Sequence, residues 1–185
     1  MPSRREQRRE EALAALKMHP EAHEDAVHGL AARILKTAVL IEKQGQRIAV
    51  ESFEQAQLDT DLLVLSLRSL VTSASALGDV GIDVAPHLAR FDGAFPEAKA
   101  ARDVLAHPED YLLGAGDLQV EPGVPMEMVY ERGVGGTAIH MTNPDLTLDV
   151  GRIIPAAVEL TNGVLEAAHD WLDARTPAED GNSPD

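Results

Sequence analysis

Apolar positions recur every three to four residues over most of the chain and alternate in one stretch only. Leu30, Ile34, Leu35, Ala38 and Ile41 follow the helical period, which predicts a first long helix over 22–44 with Gly45 as its stop. A second is predicted over 52–77. Ser52 and Gln55 have capping-box spacing at its start. Phe53, Leu58, Leu62, Leu63, Leu65, Leu67, Leu70 and Val71 give it a broad apolar face, which predicts burial against more than one neighbour, and Gly78 and Gly81 close it. A short helix is expected over 84–93, broken by Gly93 and Pro96. A third main helix follows over 96–107, with Ala98, Ala101, Val104 and Leu105 inward. Pro108 cannot continue it without a kink, and a short turn through Tyr111 and Leu113 would end at Gly114.

The pattern changes after Gly116. Met126–Tyr130 and Thr137–Met141 alternate, with the turn-forming run Gly133-Val134-Gly135-Gly136 between them. Asn143-Pro144-Asp145 marks a second turn before a short strand at Leu146–Val150. A last helix is expected over 152–174, with Ile154, Val158, Leu165 and Leu172 inward and Pro155 in its first turn. The reading is a mainly α protein: a bundle of four main helices with a small antiparallel β-meander (about 126–150) inserted before the last. Such a meander is too small to stand alone and must pack on the bundle. Residues 1–21 read as a polar extension, helical and frayed to about residue 18, residues 22–175 as the domain, and 176–185 as a disordered polar tail.

Composition narrows this picture. The chain of 185 residues suffices for one good core. Aromatics make up only 3%, so Leu, Val, Ile and Ala must fill that core, which favours packed helices over a sandwich. There is no cysteine, which removes disulfides, Cys-ligated metal and thiol nucleophiles from consideration. The lack of cysteine points to the cytoplasm. No run of about 18 apolar residues stands out, so no membrane span is expected, and no apolar signal core follows the basic start. The formal net charge of −15 opposes broad nucleic-acid binding. The first 20 residues carry five basic against three acidic side chains, so the acidity resides in the body. Any contact with nucleic acid there needs a local basic site.

One segment has the residue types of a chemical site: Arg102-Asp103-Val104-Leu105-Ala106-His107. Arginine stabilises charge on phosphate oxygens and histidine moves protons, so the two together suit phosphoryl transfer without a metal. Residues five apart stand about 140° apart on a regular helix, so Arg102 and His107 share a face only if the helix distorts near His107, for which Pro108 gives a reason. Asp103 and His107 are four apart and do share one, which lets Asp103 hold one imidazole nitrogen and fix the tautomer. The segment resembles the R-x4-H motif of the HEPN superfamily, helical bundles many of which are metal-independent ribonucleases of toxin–antitoxin and defence systems. The sequel Tyr111-Leu112-Leu113-Gly114 is similar to bacterial members, whereas Pro108 departs from the aromatic or aliphatic residue expected there. The resemblance in fold spans roughly residues 22–174, and the specific motif six.

The resemblance implies an endoribonuclease that needs no cofactor and no metal. The 2′-hydroxyl of RNA would attack the adjacent phosphate, with His107 as acid or base, Arg102 stabilising the phosphorane-like transition state and Asp103 orienting His107. It further implies a homodimer whose two motifs face one groove, with residues 96–111 in the interface, and a protein partner such as an antitoxin. The alternative is a non-catalytic HEPN-like module for dimerisation or protein interaction, which the acidic body favours.

Three other groups contain residue types that could carry chemistry. His19, His23 and His28 with Glu24 and Asp25 have two histidines four apart, a spacing that suits a divalent metal, but Pro20 interrupts the first pair, and a solvated helix start is expected instead. Gly133-x-Gly135-Gly136 lacks the lysine and the strand-to-helix setting of a phosphate loop and is expected to be a hairpin turn. His140 and His169 are expected to be structural or exposed, and no serine lies near a base.

Overall fold

Val27, Ile34, Ile41 and Ile48 stand seven residues apart and are at most 1% exposed. Ala56, Leu63, Leu70 and Leu77 repeat the spacing and are wholly buried. A seven-residue repeat keeps one seam of a helix facing a neighbour, and these two ladders join α2 (Pro20–Val50) to α3 (Phe53–Asp79) as an antiparallel pair. The computed structural model describes residues 3–97, 100–101, 104, 110–111, 113–133 and 136–175.

Around this pair lie α1 (Arg4–Lys17), α4 (Ala85–Ala94) and α5 (Val150–Asp173), with a sheet of β1 (Glu127–Gly133), β2 (Gly136–Thr142) and β3 (Leu146–Asp149) between α4 and α5 in sequence. The sheet is an antiparallel meander in the order β1-β2-β3. In its register Val129 stands opposite His140, and His140 opposite Thr147. Ile139, Met141, Leu146 and Leu148 turn inward and join the helical core, and β2 rests on α5. The helix α5 packs along α2 and α4, so helices and meander share one core. The mainly helical class with a small antiparallel sheet before the last helix is thus what the alternation and the helical period indicated.

Several local expectations are corrected. Gly45 does not stop α2, which runs to Val50. A β-carbon at residue 45 would collide with Ile154 Cδ1 and come within 3.4 Å of Val150 Cγ1, so this glycine is where α5 crosses α2 closely. Ser52 is the N-cap of α3 but makes no side-chain cap bond. A complete capping box is found at α1, where Ser3 and Glu6 cap each other, and these bonds from Ser3 hold the Glu6 carboxyl below its ordinary range. Leu58, Leu62 and Leu65 lie on the outside of α3, because Leu63, Leu67 and Leu70 already fill the side facing the core. The inward face of α5 is Ile153, Ala157, Leu160 and Val164; Val158 is exposed, while Ile154 and Leu165 only flank the core. This helix also starts earlier than expected, on an Asp149 cap that accepts from Arg152 N, which puts Pro155 beyond its first turn.

Among the described residues, Glu54–Asp79 is long and apolar enough to cross a membrane by length and composition alone, which the sequence reading did not anticipate. Its Leu63–Leu70–Leu77 side forms the centre of the bundle.

Two glycines of α2 give opposite expectations. Gly29 has nothing within 4 Å of its missing β-carbon, so Gly29→Ala gains helix propensity and raises stability by up to about 1 kcal/mol. Gly45→Leu forces α5 away and lowers stability by about 1–3 kcal/mol. Urea midpoints at unchanged slope measure both.

Candidate functional site

Arg102, Asp103 and His107 lie outside the described residues, as do Ala98, Leu105, Pro108, the middle of the Gly133–Gly136 turn and the 176–185 tail. The described residues beside the motif are informative. Glu97, Ala100, Ala101 and Val104 are helical, and Ala101 and Val104, three apart, are 1% and 0% exposed. These two inward positions, predicted from the helical period, are core residues.

The chain beyond the motif closes on itself. Asp110 and Tyr111 are helical, and Tyr111 is buried. Its carbonyl accepts from Gly114 N, Met126 N and Gln119 Nε2, at 2.9–3.2 Å. Its hydroxyl accepts from Leu118 N. Gly114 ends the turn at a φ of +74°, and a side chain there would meet the Gly123 backbone at 2.6 Å. Asn143, in the turn after β2, accepts from Val120 N and Glu121 N and donates to the Glu121 and Val124 carbonyls. One asparagine side chain thereby ties the loop to the meander.

Outside the motif, His23 and His140 have structural partners. His19 is the N-cap residue of α2 but makes no side-chain cap bond, and Pro20 is first in the helix. His23 is buried, its Nε2 is 2.7 Å from the Val80 carbonyl, and its ring meets Trp171 edge-on at 4.8 Å. It joins the ends of α2, α3 and α5. Among the described residues no three His, Asp or Glu side chains are placed to hold a metal ion. On the outer face of the sheet His140 bridges Glu131 Oε2 and Thr147 Oγ1, each at 3.0 Å. This joins all three strands across the register. An open depression of about 200 Å³ lies next to it, lined by Glu131, Gly133, Gly136, Thr137, Ala138 and Asp149. Gly133 and Gly136 pair as the ends of a hairpin, as expected.

At the α2–α3 turn, Tyr130 donates to Thr60 Oγ1 and Arg132 donates to the Ile48 carbonyl. Burial raises the Tyr130 hydroxyl above its ordinary range, and Asp61 adds to that. Burial likewise raises the Asp61 carboxyl.

One group was missed in the sequence reading although the sequence contains its signal. Arg33, Lys36, Leu40, Lys43 and Arg47 follow each other at spacings of three, four, three and four, which sets all five on one stripe of α2. All five are exposed. The positions 33–47 hold four basic side chains against one acidic, Glu42, in a chain of net charge −15.

The sign of the Asp61 shift gives a test. A carboxyl raised in the folded state costs no stability below its unfolded pKa and destabilises the fold as pH rises through the folded value. Asp61→Asn is therefore expected to raise the melting temperature at pH 7, the gap over wild type narrowing as pH falls toward the carboxylate range. A constant gap at every pH would contradict this assignment. No family model, curated protein or solved structure matches the chain.

Proposed function

We propose that the chain is a HEPN-like endoribonuclease that cleaves RNA without a metal and works through Arg102, Asp103 and His107. The burial of Ala101 and Val104 supports this reading most directly. The residues that flank the Arg–Asp pair belong to the core of a helical bundle. A reactive constellation needs such support, because small misplacements of its groups cost rate. The chemistry is transesterification. The ribose 2′-hydroxyl attacks the adjacent phosphorus, its proton passes to a base, and the 5′-oxygen leaves with a proton from an acid. His107 serves as one of these two groups, Arg102 balances the charge on the phosphorane-like transition state, and Asp103 fixes the imidazole tautomer. A second copy would complete the groove by bringing a second Arg102 to the same phosphate.

A second reading is a HEPN-like module for dimerisation or protein interaction. The net charge of −15 and the exposed leucines of α3 favour it.

The test is cleavage of single-stranded and structured RNA in EDTA, with product ends analysed for a 2′,3′-cyclic phosphate. His107→Ala and Arg102→Ala should each reduce the rate by about 10²–10⁴-fold with the helical circular dichroism unchanged. Asp103→Asn should lose less, because it still hydrogen-bonds. Equal activity in wild type and His107→Ala would point to a contaminant. No activity in either over a broad panel would leave the interaction module.

A further inference from the structure

The outer face of the α2–α3 hairpin combines two stripes. On α2, Arg33, Leu40 and Arg47 are seven residues apart, and both arginines reach the neighbouring helix. Arg33 Nη2 is 3.4 Å from Ser69 Oγ, and Arg47 Nη1 is 3.6 Å from the buried carboxylate of Asp59. These two contacts fix which flank of α2 borders α3. They leave Leu40 between them, alongside the outward positions of α3. There Leu58, Leu62 and Leu65 form the second stripe, at spacings of four and three. The four leucines are 40–53% exposed. An isolated exposed leucine needs no explanation, but four on one helix-pair face do. On the far side of Leu40, Lys36 and Lys43 stand about 10 Å apart along the axis, and neither has an ion-pair partner among the described residues.

We propose that this face docks an acidic amphipathic helix of a partner protein. Apolar residues of that helix would cover Leu40, Leu62 and Leu65, and its carboxylates, one heptad apart, would meet Lys36 and Lys43. Charge complementarity selects the occupant: this is a concentrated cationic stripe on an acidic body, and it runs beside leucines rather than alone. A helix laid on such a face reads it through anchors at i, i+3, i+4 and i+7. RNA suits the face less well. Residues 33–47 and 58–72 contain no aromatic on which a base could stack. Arg47 is also already shared between Glu51 and Asp59, so part of the cationic charge is spent. The inference does not depend on the ribonuclease reading, since it uses none of residues 96–111.

The full-length protein is titrated against three fluorescent probes of similar length: a helix of Glu and Leu heptads, the same helix with Lys for Glu, and single-stranded RNA. The Glu–Leu helix is expected to bind, more weakly as salt rises, and the other two are not. Lys36→Glu/Lys43→Glu and, separately, Leu62→Ser/Leu65→Ser are each expected to weaken it by about tenfold or more. All four positions are exposed, so both variants are expected to keep the fold, which circular dichroism checks. The proposal is overturned if the Lys–Leu helix binds as well as the Glu–Leu helix, if RNA binds more tightly than either, or if the variants bind like wild type. It is also overturned if sedimentation shows a dimer that Leu62→Ser/Leu65→Ser makes monomeric, because the face would then be covered by a second copy.

Discussion

The seven-residue register between α2 and α3 is the constraint on which the other features depend. With Val27, Ile34, Ile41 and Ile48 set against Ala56, Leu63, Leu70 and Leu77, the rotation of both helices about their axes is fixed, because turning either would expose several wholly buried side chains at once. Burying a Val, Leu or Ile side chain contributes about 1.5–3 kcal/mol, so no single surface contact competes with the ladder. The phase of the ladder then assigns every other position. Gly45 falls where α5 crosses, and Leu58, Leu62 and Leu65 fall outside the seam.

Polar contacts lock the ends of that seam rather than drive it. Arg47 bridges Glu51 at 3.3 Å and Asp59 at 3.6 Å, where α2 turns into α3. Asp59 is 1% exposed, and neither of its oxygens accepts a hydrogen bond from a described residue, so Arg47 is its one compensating charge among them. A carboxylate buried on these terms adds little stability but strongly disfavours any register that takes the arginine away. At the other end His23 does similar work through its contacts with the Val80 carbonyl and the Trp171 ring.

The stretch between α4 and β1 has a different character. Ala101, Val104, Tyr111 and Met126 anchor it to the core, and between the last two anchors the chain is shaped by hydrogen bonds to single groups, the Tyr111 carbonyl and the Asn143 amide. A segment held at a few points on a rigid bundle can present polar side chains without building a core of its own, which is the physical requirement the Arg102–His107 reading places on it. The acidic body sets a further requirement: any phosphate brought there must be met by cations gathered locally.

The sequence by itself determined the class of fold. Helical periodicity placed α2 to α5, alternation placed the three strands, and the scarcity of aromatics matched a core of aliphatic side chains. It also held the 3-4-3-4 basic stripe, readable from spacing alone. Tertiary structure decided the rest, because local signals are degenerate where packing is not. A glycine in a helical run is equally a stop and a crossing point, and only the position of Ile154 made Gly45 the second. Ser52 and Gln55 have the spacing of a cap, yet spacing does not oblige the side chains to close it. In α5 apolar residues cover so much of the circumference that the period leaves its phase open. Ile153, Ala157, Leu160 and Val164 face inward because α2, α4 and the sheet lie on that side. For the same reason a broad apolar face on α3 did not reveal which leucines would be buried: hydrophobicity drives burial, but a helix pair has only one seam.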